Sequence, residues 1–295
     1  ELEQPKKTIE MYEEFLKYKD SVNEGTYLQV LFQVGQLKFA EALDMPEGTA
    51  RTRAIKDVQS IFLRWEREAT VISVANYFFI AQVFLLSEDF KTTLAYMDKV
   101  IASASEANLE PQENWYRTRL QAYYSLEEYG NVIDTLLTLI NSWPKPSYWR
   151  QLAGAFSQNG QEKEFFSVTE INYESGFFER AGDYTNMAQI FMANEVPIKA
   201  AWVMEQGIKD QVVEKDEQTY TLLGSAYIRA SEYDKAIEPI SKAAELNEDW
   251  KLWMQVGQMQ QSTANYAGAE KAYNEALKIV PEKNDKDRFT LLTLL

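Results

Sequence analysis

Apolar residues recur three and four positions apart along most of the chain, the spacing that lines one face of an α-helix. Ile9, Tyr12, Phe15, Leu16 and Lys19 mark an amphipathic helix after Pro5, and Tyr27, Leu28, Leu31 and Val34 mark a second. A turn over Asp44 to Gly48 leads into a third helix, carried by Ile55, Val58, Ile61, Phe62 and Trp65. Beyond residue 70 the helical pattern itself repeats. Trp253, Val256, Gly257, Ala269, Tyr273 and Ala276 have counterparts 33 residues upstream in Tyr220, Leu223, Gly224, Ala236, Ile240 and Ala243. A period of this length predicts an array of two-helix units, each too small to bury its apolar face without a neighbour.

Four weaker copies precede these two and keep the order of residue sizes. They begin at Tyr77, Tyr116, Trp149 and Tyr184, so successive copies are 39, 33, 35, 36 and 33 residues apart. The longest interval places extra residues between Ile101 and Pro111, where a protruding loop is expected. With its closing Pro281, the frame resembles the tetratricopeptide (TPR) repeat, an aromatic followed by a Leu-Gly pair, a Tyr, and small-large-small positions. Two positions depart from it: Gln260 stands where the family has Tyr, and the large Phe165 stands where it has a small residue. The resemblance implies an all-α fold, a right-handed α-solenoid of stacked helix hairpins with a concave surface. Small residues such as Ala81, Gly224 and Gly257 are expected to let paired helices approach closely, beside Phe84 and Tyr227. Residues 1–70 are expected to form a helical cap or degenerate repeats, 74–283 about six repeats, and 284–295 the start of a C-terminal capping helix.

Composition narrows the functions available. Among 295 residues there are 30 Lys and Arg against 45 Asp and Glu, a formal net charge of −15. That balance argues against nucleic acid, whose sequence-independent binding needs clustered cations, and against an anionic membrane surface. Cys and His are both absent, which removes thiolate nucleophiles, Cys/His metal sites and imidazole acid–base catalysis. No Gly-rich phosphate loop occurs among the 12 glycines. Glu13/Glu14, Glu66/Glu68 and Glu127/Glu128 fall on exposed faces or turns and read as solvated charge, and Asp285 and Asp287 lack the rest of a calcium loop. No cofactor, metal or enzymatic activity is expected. The uncharged stretch Ala69–Ser87 is about as long as a membrane span. Its Thr70, Ser73, Asn76 and Gln82, its non-basic flanks and its fit to the repeat predict a buried helix instead, with no membrane insertion. The chain opens at Glu1 with no signal-like apolar region, which leaves open whether a targeting segment was removed.

What remains is the groove. In the TPR frame the first-helix positions facing the concave side hold Arg117, Gln121, Tyr124, Arg150, Gln158, Gln189, Thr221, Ser225, Arg229, Lys251, Gln255 and Gln258. This face reads as polar and mildly basic, suited to an extended peptide with scattered carboxylates. Arg117, Arg150 and Arg229 would pair with acids, Gln121, Gln189 and Gln258 would bond main chain, and Tyr124 would supply an apolar contact. The Lys and Asn set with which many TPR co-chaperones grip a C-terminal carboxylate is missing, so such a tail is not the expected ligand. Trp149 and Trp253 occupy a packing position of the frame, whereas Trp115, Trp143, Trp202 and Trp250 stand near helix starts and junctions and are candidates for exposure to a partner.

The segment 184–249, with its NMAQIF, NEVPIKAA and EYDKAI runs, further resembles the bacterial TPR proteins encoded beside the TonB–ExbB–ExbD energy-transduction genes. That likeness implies a periplasmic location and an accessory role in TonB-dependent uptake, with TonB-complex components as partners. The rival reading is a cell-envelope assembly or structural factor that works through the second-helix faces or through oligomerisation.

Overall fold

The computed structural model describes residues 3–295, with side chains from Lys6 onward. Among the described residues there are sixteen α-helices and no strand. The helices fall into two compact units, one running to Gln161 and the other spanning Glu162–Leu295.

The first unit contains α1 (Glu3–Phe15), a 3-10 turn (Leu16–Ser21), α2 (Glu24–Asp44), α3 (Thr49–Glu68), α4 (Val74–Leu86), α5 (Phe90–Glu106), α6 (Glu113–Ser125), α7 (Tyr129–Ser142) and α8 (Pro146–Gln158). The second contains α9 (Glu162–Glu174), α10 (Ala181–Ala193), α11 (Pro197–Lys209), α12 (Glu217–Arg229), α13 (Tyr233–Asn247), α14 (Trp250–Ser262), α15 (Tyr266–Ile279) and α16 (Asp285–Leu294). Within each unit sequential helices pack on one another through short connections, the arrangement of a helix-hairpin solenoid. The unit boundary falls between α8 and α9, inside the copy whose Phe165 breaks the frame.

Backbone geometry reproduces the register read from the side chains. Glu88, Glu127, Gly160, Glu195, Ser231 and Ala264 all have left-handed φ, between 57° and 71°, and recur at the intervals of the sequence frame. Each sits just after a first helix. The amide of the residue that follows reaches back to a carbonyl of the helix, as in Asp89 N to Phe84 O (3.0 Å), Glu128 N to Tyr123 O (3.0 Å) and Glu232 N to Tyr227 O (2.9 Å). Only one of the six is glycine, so five positions accept roughly 1–2 kcal/mol of left-handed strain that these backbone bonds offset.

Close approach of paired helices also follows the frame. A Cβ on Gly224 would lie 2.3 Å from Ile240 Cδ1, and one on Gly257 would lie 2.3 Å from Tyr273 Cε1. The large partners Ile240 and Tyr273 are themselves fully buried, contributing about 1.5–3 kcal/mol each. Pro197 and Pro146 begin α11 and α8, where the missing N–H has no intrahelical partner in any case. Pro239 lies inside α13 rather than at an orphan terminal position, and the helix runs through it with Pro239 buried.

Residues 1–70, expected to be a cap or degenerate repeats, show one further feature, and two expectations are corrected. The N-terminal helices keep the packing device although they leave the frame: Gly35 of α2 meets Phe62 of α3, where a Cβ would lie 2.6 Å from Phe62 Cζ. Val34-Gly35 is the same dipeptide as Val256-Gly257, the signal in sequence that these longer helices form one more hairpin. The supposed protruding loop is mostly helix, because α5 continues through Glu106 and stops only at Asn108, which has φ 51°. Trp115 is 3% exposed and belongs to the core rather than to a surface.

The first unit's core joins α2 to α6 around an aromatic group in which Phe32 contacts Phe62 at 5.1 Å and Trp65 at 4.7 Å between ring centroids. Its α4 is the uncharged stretch; it is 13 residues long, and among the described residues no helix is long and apolar enough to cross a membrane. The second unit's core runs from α10 to α15, and a smaller cluster packs Leu291 of α16 against Tyr273 and Ala276 of α15.

Candidate functional site

Each unit carries a cleft along the faces of its first helices. In the first unit a cleft of about 530 Å³ is lined by α4, α6 and α8. Arg117, Gln121 and Tyr124 of α6 meet there, as their spacing on one helical face requires. Gln82 from α4 and Gln151 from α8 add an amide each, while Phe78, Leu85 and Leu120 supply apolar surface. Arg117 and Gln121 are exposed and Tyr124 is half-buried. Tyr124 Oη donates to the Gln151 main-chain carbonyl at 3.4 Å, and burial, followed by the nearby Tyr129, pushes its phenol above the ordinary value. It therefore stays a donor at neutral pH.

One edge of this cleft is braced by a charge pair. Glu113 accepts from Lys145 Nζ at 2.5 Å and from the Tyr148 hydroxyl. The Lys145 contact, then the Tyr148 bond, hold the Glu113 carboxyl below its usual range, with Arg117 adding a smaller favourable field. Burial first and the Glu113 bond second push the Tyr148 phenol up to about 12. Tyr148 thus stays a neutral donor, fixed in the wall beside Gln151.

The second unit's cleft, about 630 Å³, is lined by α10, the α11–α12 connection and α12. Gln189 meets Thr221 and Ser225 there, but Glu214, Asp216 and Glu217 line it too, and no cation does. The groove was expected to be mildly basic along its length; here it is acidic. Two of these carboxylates have structural partners: Asp216 Oδ1 caps α12 by accepting from Thr219 N at 2.8 Å, and Glu217 Oε1 accepts from Thr221 Oγ1 at 3.0 Å.

The remaining candidates lie apart from these two groups. Arg150 is half-buried on α8, which sends Tyr148 and Gln151 into the cleft instead. Arg229 donates from Nη1 to the Met192 carbonyl at 3.5 Å, at the C-terminal end of α10, where a cation also meets the negative end of the helix dipole. Gln258 is exposed on α14. Trp149 and Trp253 are half-buried, and Trp202 is 52% exposed on α11.

Gln82 and Gln151 were not singled out by sequence. For Gln82 a signal existed: it follows its copy's first aromatic by five residues, the relation Gln121, Gln189 and Gln258 bear to Tyr116, Tyr184 and Trp253. Four of the six copies therefore carry an amide at this frame position, with Gly154 and Ser225 in the other two. The repeat is a two-helix hairpin of the solenoid kind.

No protein-family model matches the chain, and no curated protein does. Among solved structures it is similar to the TPR2AB-domain:pHSP90 complex of yeast Sti1, at 12% identity over 89% of this chain and 98% of that one, with a TM-score of 0.45. It is similar also to a tetratricopeptide repeat protein from Parabacteroides merdae, at 12% identity, 89% and 98% coverage and a TM-score of 0.42. A third is the C-terminal part of a TPR repeat-containing protein from Cytophaga hutchinsonii, at 17% identity, 74% and 84% coverage and a TM-score of 0.40. The repeat type of this chain rests on its own register of turns, small residues and paired helices.

Proposed function

We propose that this protein is a non-enzymatic interaction scaffold that binds an extended segment of a partner protein along its first-helix faces. The observation that supports this is the convergence of Gln82, Gln121 and Gln151 with Arg117 and Tyr124 in one cleft. Amide side chains offer both a donor and an acceptor to main chain, and a guanidinium pairs with a carboxylate in a fork. The lack of Cys and His removes thiolate and imidazole chemistry, which supports the non-enzymatic reading. Our reading of the partner, a component of the TonB complex met in the periplasm, is supported by the resemblance of segment 184–249.

The test is purification from native envelope extract with identification of co-purifying proteins, for wild type and for an Arg117→Glu/Gln121→Ala variant. TonB-complex proteins that accompany wild type and vanish with the variant support both partner and surface. Their retention by the variant overturns the surface, and their absence from wild type overturns the partner. Exposed Trp202, on a second helix, favours the rival envelope-assembly reading, which predicts partner loss on Trp202→Ala with the cleft intact.

A further inference from the structure

The seven residues between α11 and α12, against two between α13 and α14, sort charge to opposite sides of α12. Gln211 and Lys215 line one side; Val212, Glu214 and Asp216 line the other, and buried Val213 stands between them. From Gln211 to Asp216 the side chains thus divide between the two clefts, with Val213 lining both. The acidic side is the cleft already described. On the other side lies a larger cleft of about 950 Å³, walled by α11, the connection, and α13, with Tyr220, Leu223 and Tyr227 of α12 in its lining.

Four lysines converge on it: Lys209 from α11, Lys215 from the connection, and Lys235 and Lys242 from α13. Only two acids share the lining, and both are engaged. Glu205 accepts from Tyr227 Oη at 2.5 Å, and Glu238 pairs with Lys242 at 2.5 Å. Lys209 and Lys215 are exposed and have no carboxylate partner among the described residues. Lys242 Nζ lies 5.3 Å from the Tyr220 ring centroid and Lys235 Nζ 5.8 Å from that of Tyr227, so two of the cations stand over aromatic faces. Leu223, Val213 and Pro239 are buried and contribute apolar surface. Trp202 shares the helical face of Glu205 and Lys209, three and seven residues away, which extends the same surface with an exposed indole. Lys242 is paired with Glu238 and Lys235 with Glu232 at 3.1 Å, so in this chain of net charge −15 the cleft's unpaired positive charge is carried by Lys209 and Lys215.

We propose that this cleft is a second binding site, which takes an acidic segment of a partner protein with apolar residues between its carboxylates. The apolar surface distinguishes such a segment from a small anion, which gains nothing from Leu223 and Pro239. The lysines are point charges spread over two helices and a connection, and no backbone N–H cradle or arginine fork gathers them for a single phosphate. The site lies on the other side of α12 from the amide-lined face and stands independently of the function proposed for that face.

The test is fluorescence anisotropy of a fluorescein-labelled Glu- and Leu-rich peptide with the full chain at low and moderate salt. In the Arg117→Glu/Gln121→Ala background, which removes the first unit's cleft from the measurement, the peptide is still expected to bind, and adding Lys209→Glu/Lys215→Glu to weaken it by about tenfold or more. Because Lys209 and Lys215 are exposed and unpaired, their double variant keeps the fold, which circular dichroism checks. Trp202→Ala is expected to weaken binding about threefold, on the scale of one lost surface contact. No binding in that background, or equal binding once the two lysines are also changed, overturns the site. Equal affinity for the peptide with Gln in place of Glu overturns its charge selectivity. Displacement of the peptide by inorganic polyphosphate, with no loss of affinity when Ser replaces Leu in the peptide, overturns the peptide assignment in favour of a general anion site.

Discussion

The two first-helix clefts occupy the same place in the repeat and carry opposite chemistry. The cleft in the first unit sets Arg117 among three amides and Tyr124, whereas that in the second surrounds Gln189, Thr221 and Ser225 with Glu214, Asp216 and Glu217. Helices and connection share in this difference: Arg117 of α6 gives way to Thr185 and Thr221 at the same frame position, and Glu217 belongs to α12 itself. The connection before α12 adds Glu214 and Asp216, whose side chains line the cleft. A regular array fixes where a binding surface lies, and its helix faces and irregular connections together set what charge that surface carries.

The largest expected effect breaks the comparison by dismantling one side. Gly224→Val places a branched side chain where a bare Cβ already meets Ile240 at 2.3 Å. It should cost about 1–3 kcal/mol or more and loosen α12 from α13, erasing both clefts of the second unit while that of the first survives. Urea unfolding with hydrogen exchange resolved by segment reads this, and unchanged protection of α12 would refute the tight approach. Next in size, Arg117→Glu turns the first cleft acidic like the second and should weaken binding of a carboxylate-bearing partner about tenfold, measured by calorimetry.

A smaller effect separates charge from capping in the second cleft. Asp216→Ala removes the acceptor for Thr219 N and should cost about 1 kcal/mol in a thermal melt. Asp216→Asn keeps the cap, lowers the cleft's negative charge and should melt within about 0.5 kcal/mol of wild type. Equal losses for both would mean that the carboxylate charge, and not its hydrogen bond, holds the helix start.

The smallest effect concerns the brace of the first cleft. Its folded state depresses Glu113 below the ordinary value of 4.5, so the Lys145–Glu113–Tyr148 contact contributes fully above that value and is lost as pH falls through the lower folded one. Glu113→Gln should therefore flatten the acid limb of stability below pH 4.5 and leave neutral pH nearly unchanged, since a solvent-reachable pair contributes little. A variant that kept the wild-type acid limb would remove Glu113 from the account.

Much of the fold was legible because the signal is redundant. Each copy repeats its aromatic, its small residue and its large partner, and the left-handed turn residues fall at the same intervals as the side-chain frame. The N-terminal hairpin leaves the frame because its helices are 21 and 20 residues long, which shifts the second half of the frame even though Val34-Gly35 keeps the first. The loop expected near residue 105 failed for a simpler reason: Ala102 to Ser105 carry nothing that stops a helix, and the chain continued one. At the site, Arg117, Gln121 and Tyr124 were legible together because they share one face of one helix. Arg229 was not, because its partner, the Met192 carbonyl, is 37 residues away in sequence.

By itself, then, the sequence determined the all-α hairpin repeat, its register, the positions that must stay small and the absence of Cys and His chemistry. Those properties are local or periodic, and spacing along the chain encodes them. The tertiary structure alone decided that Gln82 and Gln151 join Arg117, that the second cleft is acidic, and that four lysines from α11, α13 and the connection converge behind it. Such groupings depend on how helices of one repeat lie against those of the next and on which way a connection turns its side chains, and no periodicity records either.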